Sequence, residues 1–215
     1  MSAKRLQPGE GGYQALTLTI AGMLVIGPLI SEFVQLGSLL PGLFTAVILA
    51  AVWSVSHSLV QVASVGALSV ITLAGVWFQL TGLPAALTQL SGAACFAVVS
   101  FVLARDVFGR RGHISKDVIY GGINIYLTIG LAFALLYRAL VTMAPDAIDG
   151  LAPNASIDHA FYFSFVTLTT LGYGDITPVS SGARMLAAVE AIIGQLYLAV
   201  LLAMLVATHL ASKRP

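Results

Sequence analysis

Between Gly11 and Ala104 the only charged residue is Glu32. A water-facing surface cannot be built from such a stretch, since a soluble domain carries about 25% charged residues. The stretch has to fold against lipid. The rest of the chain agrees: of 215 residues, 58% are hydrophobic and 9% charged. Roughly 125 hydrophobic residues suffice for about six helices, at the ~20 residues each needs to cross the hydrocarbon core. That length leaves no room for a large soluble catalytic or ligand-binding domain. Cys95 is alone, which excludes an intrachain disulfide, a zinc cluster or a CxxC redox site. No basic, aromatic-rich segment suggests nucleic acid, and no cofactor is expected.

Apolar runs between polar breaks predict spans at about 13–30, 41–54, 62–80 and 85–104, the third ended by Thr81, Gly82 and Pro84. Lys4 and Arg5 before the first run admit a cleaved signal peptide, but the run is long and passes into more hydrophobic sequence. A polar segment from Arg105 to Asp117 follows, then a fifth span at about 119–143 and a last one at about 184–210. Basic residues near span ends mark the cytoplasmic side. Lys4, Arg5, Arg105, Arg110, Arg111, Lys116, Lys213 and Arg214 therefore share that side with Glu10, Asp106 and Asp117. Arg138 and Arg184 fall outside with Glu32, Asp146, Asp149, Asp158 and Asp175, so a net charge of +1 conceals a basic inner and an acidic outer face. This topology needs four spans before the polar segment and two after. It puts both termini in the cytoplasm of a multi-pass protein of the cell membrane. The apolar segment from Ser156 to Thr169, about fourteen residues, is too short to cross. It is expected to enter and leave on the outer face as a re-entrant helix, with Ser156 as N-cap and Asp158 in its first turn.

After that segment the chain reads Thr169, Thr170, Leu171, Gly172, Tyr173, Gly174, Asp175. Stripping water from a potassium ion requires protein oxygens in place of its hydration shell, and successive backbone carbonyls pointing to one axis supply them. Ordinary strands alternate their carbonyls. Pointing them all inward demands dihedrals that disfavour a side chain, which glycine at alternating positions tolerates; Gly172 and Gly174 fit. The expected potassium ligands are the carbonyls of Thr170, Leu171, Gly172 and Tyr173 and the hydroxyl of Thr170, with Leu171 and Tyr173 turning their side chains outward. One chain has one such loop and a ring needs four, hence a homotetramer.

On these residues the chain resembles the potassium channel superfamily, specifically bacterial ion-channel members with a two-helix pore module. The resemblance covers about 114–210 and is specific at Thr170 to Asp175 and at Gly194. It implies an outer helix, pore helix, selectivity filter and inner helix. Tyr162 and Phe163 take the aromatic-cuff positions of the pore helix, and Arg184 falls where inner helices begin. Thr169, Val166 and Asp175 complete the filter's support. Two departures stand out: Leu171 replaces the commoner valine or isoleucine, and Val166 stands where some members carry a glutamate paired with the filter aspartate.

Gly194 lies mid-membrane in the last span; the resemblance implies a hinge, and a packing glycine is the rival reading. With Gly194 as a register mark, helical steps place Gln195, Leu198, Leu202 and Val206 along the pore, with His209 next in the series. Leu202 and Val206 are candidates for a hydrophobic constriction. Glu190, about two turns inside the membrane, is costly there and functional by default. It either hydrogen-bonds hydroxyls such as Ser164 or Thr167 or titrates as a gate. Arg138 either snorkels to the interface or pairs with Asp146, Asp149 or Asp158.

A voltage sensor needs several charges in the field, each worth about 2.3 kcal/mol per 100 mV, and the run from Ala85 to Ala104 has none. Weak voltage dependence is expected from the first four helices. They are left to brace the pore, bind lipid or sense a ligand. The expected organisation is thus an all-α membrane protein: a four-helix domain at 1–105, a linker at 106–118, either an interfacial coupling helix or solvated, and a pore domain at 119–215. Passive potassium conduction is the leading expectation. A weakly selective cation channel is the alternative. A potassium transporter subunit normally carries four imperfect filter loops, and an intramembrane enzyme using Glu190, His57 and His209 lacks a nucleophile or metal-ligand spacing. No nucleotide-binding domain is expected after Pro215, so a cytosolic ligand would be expected to need another site.

Overall fold

The structure, a computed structural model, describes residues 12–33, 39–55, 59–109 and 116–212. Lys4, Arg5, Glu10, His57, Arg110, Arg111, Ile114, Lys213 and Arg214 lie outside these residues, as do the side chains of Glu32 and His209. Seven α-helices dominate: α1 (Gly12–Phe33), α2 (Leu39–Ser54), α3 (Leu59–Trp77), α4 (Gly82–Gly109), α5 (Lys116–Met143), the short α6 (Ile157–Leu168) and α7 (Ser181–Ser212). Helices are what lipid demands of an apolar chain, because each backbone N–H and C=O must be satisfied within its own segment.

Among the described residues, four helical stretches are long and apolar enough to cross a membrane: Val60–Trp77, Gly82–Gly109, Lys116–Met143 and Ser181–Thr208. Gly12–Ile26 and Pro41–Ser54 are shorter apolar stretches. At 16 residues α2 falls short of the ~20 needed for a full perpendicular crossing. The chain is an all-α, multi-pass membrane protein.

The turn between α3 and α4 uses left-handed backbone at Gln79 (φ 48°) and Gly82 (φ 62°). Pro84 does not break α4. It lies in the first turn, where backbone N–H groups have no helical partner to lose. At its other end α4 passes straight through Arg105 and Asp106 to Gly109, beyond the expected boundary at 104. The Asp106 carboxylate is engaged there, accepting the Tyr13 hydroxyl of α1 at 2.5 Å. Residues 116–118 already belong to α5. The described parts of the expected 106–118 linker are thus the ends of two long helices rather than a separate coupling helix.

The helices α1 to α4 follow one another as packed neighbours, and α4 lies along α5 in the most extensive contact of the fold. Apolar side chains alone give helices little reason to associate in lipid, so short polar bridges matter. Ser100 and Thr128 join α4 to α5 at 2.7 Å, and Thr142 donates to Gln89 across the same pair at 3.1 Å. Asn124 of α5 accepts from Thr17 at 2.8 Å and donates to the Tyr13 carbonyl at 2.7 Å, fastening α1. Phe44 of α2 stacks on Phe161 of α6, ring centroids 6.2 Å apart. The first helices therefore press on the short helix as well as on α5.

Candidate ion pathway

α6 starts after Ser156, as expected, but the Ser156 side chain makes no cap hydrogen bond. Asp158 sits in the first turn, its Oδ1 3.5 Å from His159 Nδ1. The C-terminal end is where the local chemistry becomes informative. Thr170 N–H donates to the Thr167 carbonyl and Leu171 N–H to the Val166 carbonyl, both at 2.9 Å. With Thr169 as C-cap, these two bonds form a Schellman motif, whose residue after the cap must be left-handed. That residue is usually glycine. Here it is Thr170, at φ 58°. Left-handed backbone then recurs at Gly172 (φ 59°) and Gly174 (φ 84°). The expected alternation at the two glycines begins two residues earlier, at a β-branched residue for which that region costs about 1–2 kcal/mol. Strain of this kind is retained where a side chain is needed. The Thr170 hydroxyl donates to the Thr169 carbonyl at 2.7 Å and accepts from Gln195 Nε2 of α7 at 3.3 Å.

Side chains around the loop divide its support. Tyr162 faces the loop: it donates to Asp175 Oδ2 at 2.8 Å, and its ring lies parallel to that of Tyr173, centroids 6.4 Å apart. The bond to Asp175 raises the Tyr162 phenol above its ordinary range. Phe163 faces the other way and meets Tyr137 of α5 edge-on at 4.7 Å. Val166, with no carboxylate to offer Asp175, contributes through its backbone carbonyl. Leu171 and Tyr173 are exposed on the single chain. Beyond Asp175 the chain is tied down by a two-residue antiparallel ladder, β1 (Ile148–Asp149) with β2 (Thr177–Pro178).

α7 begins at Ser181 rather than Arg184, because Ser180 caps it by accepting the Ala183 N–H at 3.1 Å. Gly194 is buried, and a Cβ there would collide with the Leu168 carbonyl. Close packing on the end of α6 is thus a sufficient reason for this glycine. Gln195, Leu198, Leu202 and Val206 are exposed on the chain.

Glu190 is fully buried. Of its two expected partners, Ser164 lies 2.5 Å from Oε1 and takes the place that Thr167 was the other candidate to fill. Tyr137, 53 residues away, donates to Oε2 at 2.6 Å, a partner that the sequence reading misses. It also misses Tyr126 and Tyr197, which stack at 5.9 Å; Tyr197 donates to the Gly122 carbonyl at 2.6 Å and Tyr126 to that of Leu168 at 3.3 Å. The signal for all three is a tyrosine inside an apolar span, where a hydroxyl must find a partner. Arg138 pairs with none of Asp146, Asp149 and Asp158. Its guanidinium donates to the carbonyls of Ala155 (2.9 Å), Pro153 (3.1 Å) and Ala152 (3.4 Å), because a five-donor fork serves a turn of carbonyls as well as a carboxylate.

Comparison with known proteins agrees with this geometry. Residues 124–209 match the ion channel family. The chain is 33% identical over 95 residues to Protein LctB of Bacillus caldotenax, covering 41% of this chain and 69% of that protein. It is 38% identical over 79 residues to Two-pore potassium channel 1 of Arabidopsis thaliana, covering 35% of this chain but only 22% of that protein. It is 39% identical over 77 residues to the inward rectifier potassium channel Kirbac3.1 of Paramagnetospirillum magnetotacticum, covering 36% of this chain and 24% of that protein. The match thus spans less than a quarter of either potassium channel's length. No solved structure matches. The chain belongs to the potassium channel superfamily.

Proposed function

We propose that the chain conducts potassium passively and selectively through a homotetrameric pore in the cell membrane, acting as a channel rather than an enzyme. The observation that carries this reading is the left-handed backbone at Thr170, Gly172 and Gly174 directly after a capped helix end. Alternating handedness is what brings successive carbonyls to one side, where those of Thr170 to Tyr173 and the Thr170 hydroxyl replace an ion's water. In this reading 119–215 is the pore domain, α6 the pore helix and α7 the inner helix, with Leu198, Leu202 and Val206 lining the inner half. α1 to α5 and α7 are the six spans in this reading, the bilayer thinning locally at the 16-residue α2; both termini face the cytoplasm and the filter mouth faces outward. The bareness of α7, of which 6% of an 18-residue apolar window is buried, supports assembly around it. The packing of α1, α2 and α4 on α5 and α6 supports bracing as the role of the 1–105 domain, and the lack of charge in α4 before Arg105 supports weak voltage dependence.

The test is the reversal potential of purified protein in a planar bilayer under opposed potassium and sodium gradients. A shift of about 59 mV per tenfold potassium gradient is expected for one permeant monovalent ion. Reversal that ignores potassium sinks the reading, and reversal midway between the two equilibrium potentials favours the weakly selective alternative.

A further inference from the structure

Three short polar contacts meet behind the filter loop in a space closed to solvent. Glu190 of α7 has Tyr137 of α5 at 2.6 Å from Oε2 and Ser164 of α6 at 2.5 Å from Oε1. Ser164 Oγ in turn lies 2.7 Å from the Gly130 carbonyl of α5. Glu190, Tyr137 and Ser164 are all fully buried, so bulk solvent does not reach their polar atoms. Among the described residues no basic side chain forms an ion pair with Glu190. The titratable groups that face it are Tyr137 and, at longer range, Tyr126, both from α5; α6 offers Ser164, which does not titrate.

Counting hydrogens decides the state of this cluster. Tyr137 and Ser164 each carry one hydroxyl proton, while a backbone carbonyl and an ionised carboxylate only accept. Three contacts then share two protons. If Ser164 donates to Gly130, its oxygen faces Oε1 with nothing between; if it donates to Glu190, the Gly130 carbonyl is left facing a bare oxygen. One more proton closes the count. Tyr137 donates to Oε2, a protonated Oε1 donates to Ser164, and Ser164 donates to Gly130. A neutral acid also avoids an unpaired charge in a low-dielectric site.

We propose that Glu190 is a positioning residue for conduction, held as a neutral carboxylic acid whose proton completes a hydrogen-bonded chain joining α7 and α5 to α6. Its effect reaches the filter through a short path. Ser164 lies two and three residues before Val166 and Thr167, whose carbonyls hold the N–H groups of Leu171 and Thr170. Phe163, packed edge-on against Tyr137, fixes the same turn of α6 from the other side. The cluster therefore sets the height of α6, and with it the height of the loop that α6 carries. The proposal rests on the conduction reading for its consequence, but not for the proton.

Two measurements separate these parts. Infrared spectroscopy of the purified protein at neutral pH reads the proton directly. A carboxylic-acid C=O band, distinct from carboxylate and shifted in D2O, is expected in the native protein and absent from Glu190→Gln. No such band overturns the proposal whether or not the protein conducts. In bilayers, Glu190→Gln preserves the pattern, its amide N–H donating to Ser164 and its oxygen accepting from Tyr137. It is expected to keep native conductance and potassium over sodium discrimination, whereas Glu190→Ala loses discrimination by about tenfold. Should Glu190→Ala fail to assemble, Ser164→Ala removes the middle of the chain and is expected to weaken discrimination in the same direction. Equal losses in Glu190→Gln and Glu190→Ala, or native behaviour in both alanine variants, overturn the positioning role. If no variant and no native protein conducts, the conduction reading fails while the infrared result still stands.

Discussion

The helices α5 and α7 each offer an apolar stretch of 28 residues, yet 67% of an 18-residue apolar window of the first and 6% of such a window of the second is buried within the chain. Similar composition thus leads to opposite fates. α5 is enclosed because α4, α1, α6 and, less extensively, α7 all pack on it. Ser100 and Gln89 of α4 and Thr17 of α1 supply the polar contacts to it that lipid cannot. α7 touches its own chain mainly where it carries Glu190, Gly194 and Tyr197. The difference separates packing that one chain completes from packing that it leaves to other molecules.

That separation can be broken at several points. The largest effect is expected from Gly194→Leu, which drives a side chain into the Leu168 carbonyl at the end of α6. Backbone cannot yield there as a flexible side chain would, so ion flux into vesicles should be abolished while the protein still inserts. Native flux would mean that α7 contacts α6 less closely than the structure has it. Next come paired deletions of equal chemistry. Leu135→Ala, at a residue 2% exposed on α5, should lower stability by about 3 kcal/mol in detergent unfolding. Leu202→Ala, at a residue 64% exposed on α7, should change the dissociated chain by no more than ~0.5 kcal/mol. Equal losses would erase the contrast between the helices.

Hydrogen exchange sharpens the same comparison. If the chain assembles around α7 as proposed, dissociation in a harsher detergent should speed exchange along the inner half of α7 by about tenfold and leave central α5 amides unchanged. The smallest effect belongs to Gln195→Ala. Losing its amide frees one lone pair of the Thr170 hydroxyl, and block by barium, a divalent ion of potassium's size, applied from the inner side should change by about threefold. An unchanged block would detach Gln195 from the filter's inner end.

What is legible in the sequence is governed by neighbours a few residues apart. The left-handed backbone at Gly172 and Gly174 follows from local dihedral demands, and the shortness of α6 from the length of its apolar segment. Contacts between distant residues are harder to read. Glu190 is conspicuous as a carboxyl in an apolar span, but Tyr137 lies 53 positions away among equally apolar residues. The end of α4 falls later than its charges suggest, because Arg105 and Asp106 look like a span boundary until Tyr13 is brought to the aspartate. Arg138 invites pairing with carboxylates because only side chains advertise themselves in a sequence; the carbonyls of 152, 153 and 155 do not. The left-handed threonine is hidden for a related reason, since the helix cap that imposes it is made by backbone groups alone.

That cap has a mechanical consequence. Thr170 both closes the end of α6 and is the first left-handed residue of the loop, so no hinge separates the two. A rotation or axial slip of α6 cannot be absorbed before it reaches the carbonyls, because Val166 and Thr167 hold Leu171 and Thr170 directly. Helix and loop move as one rigid lever, and whatever tilts the helix retunes the spacing of the oxygens.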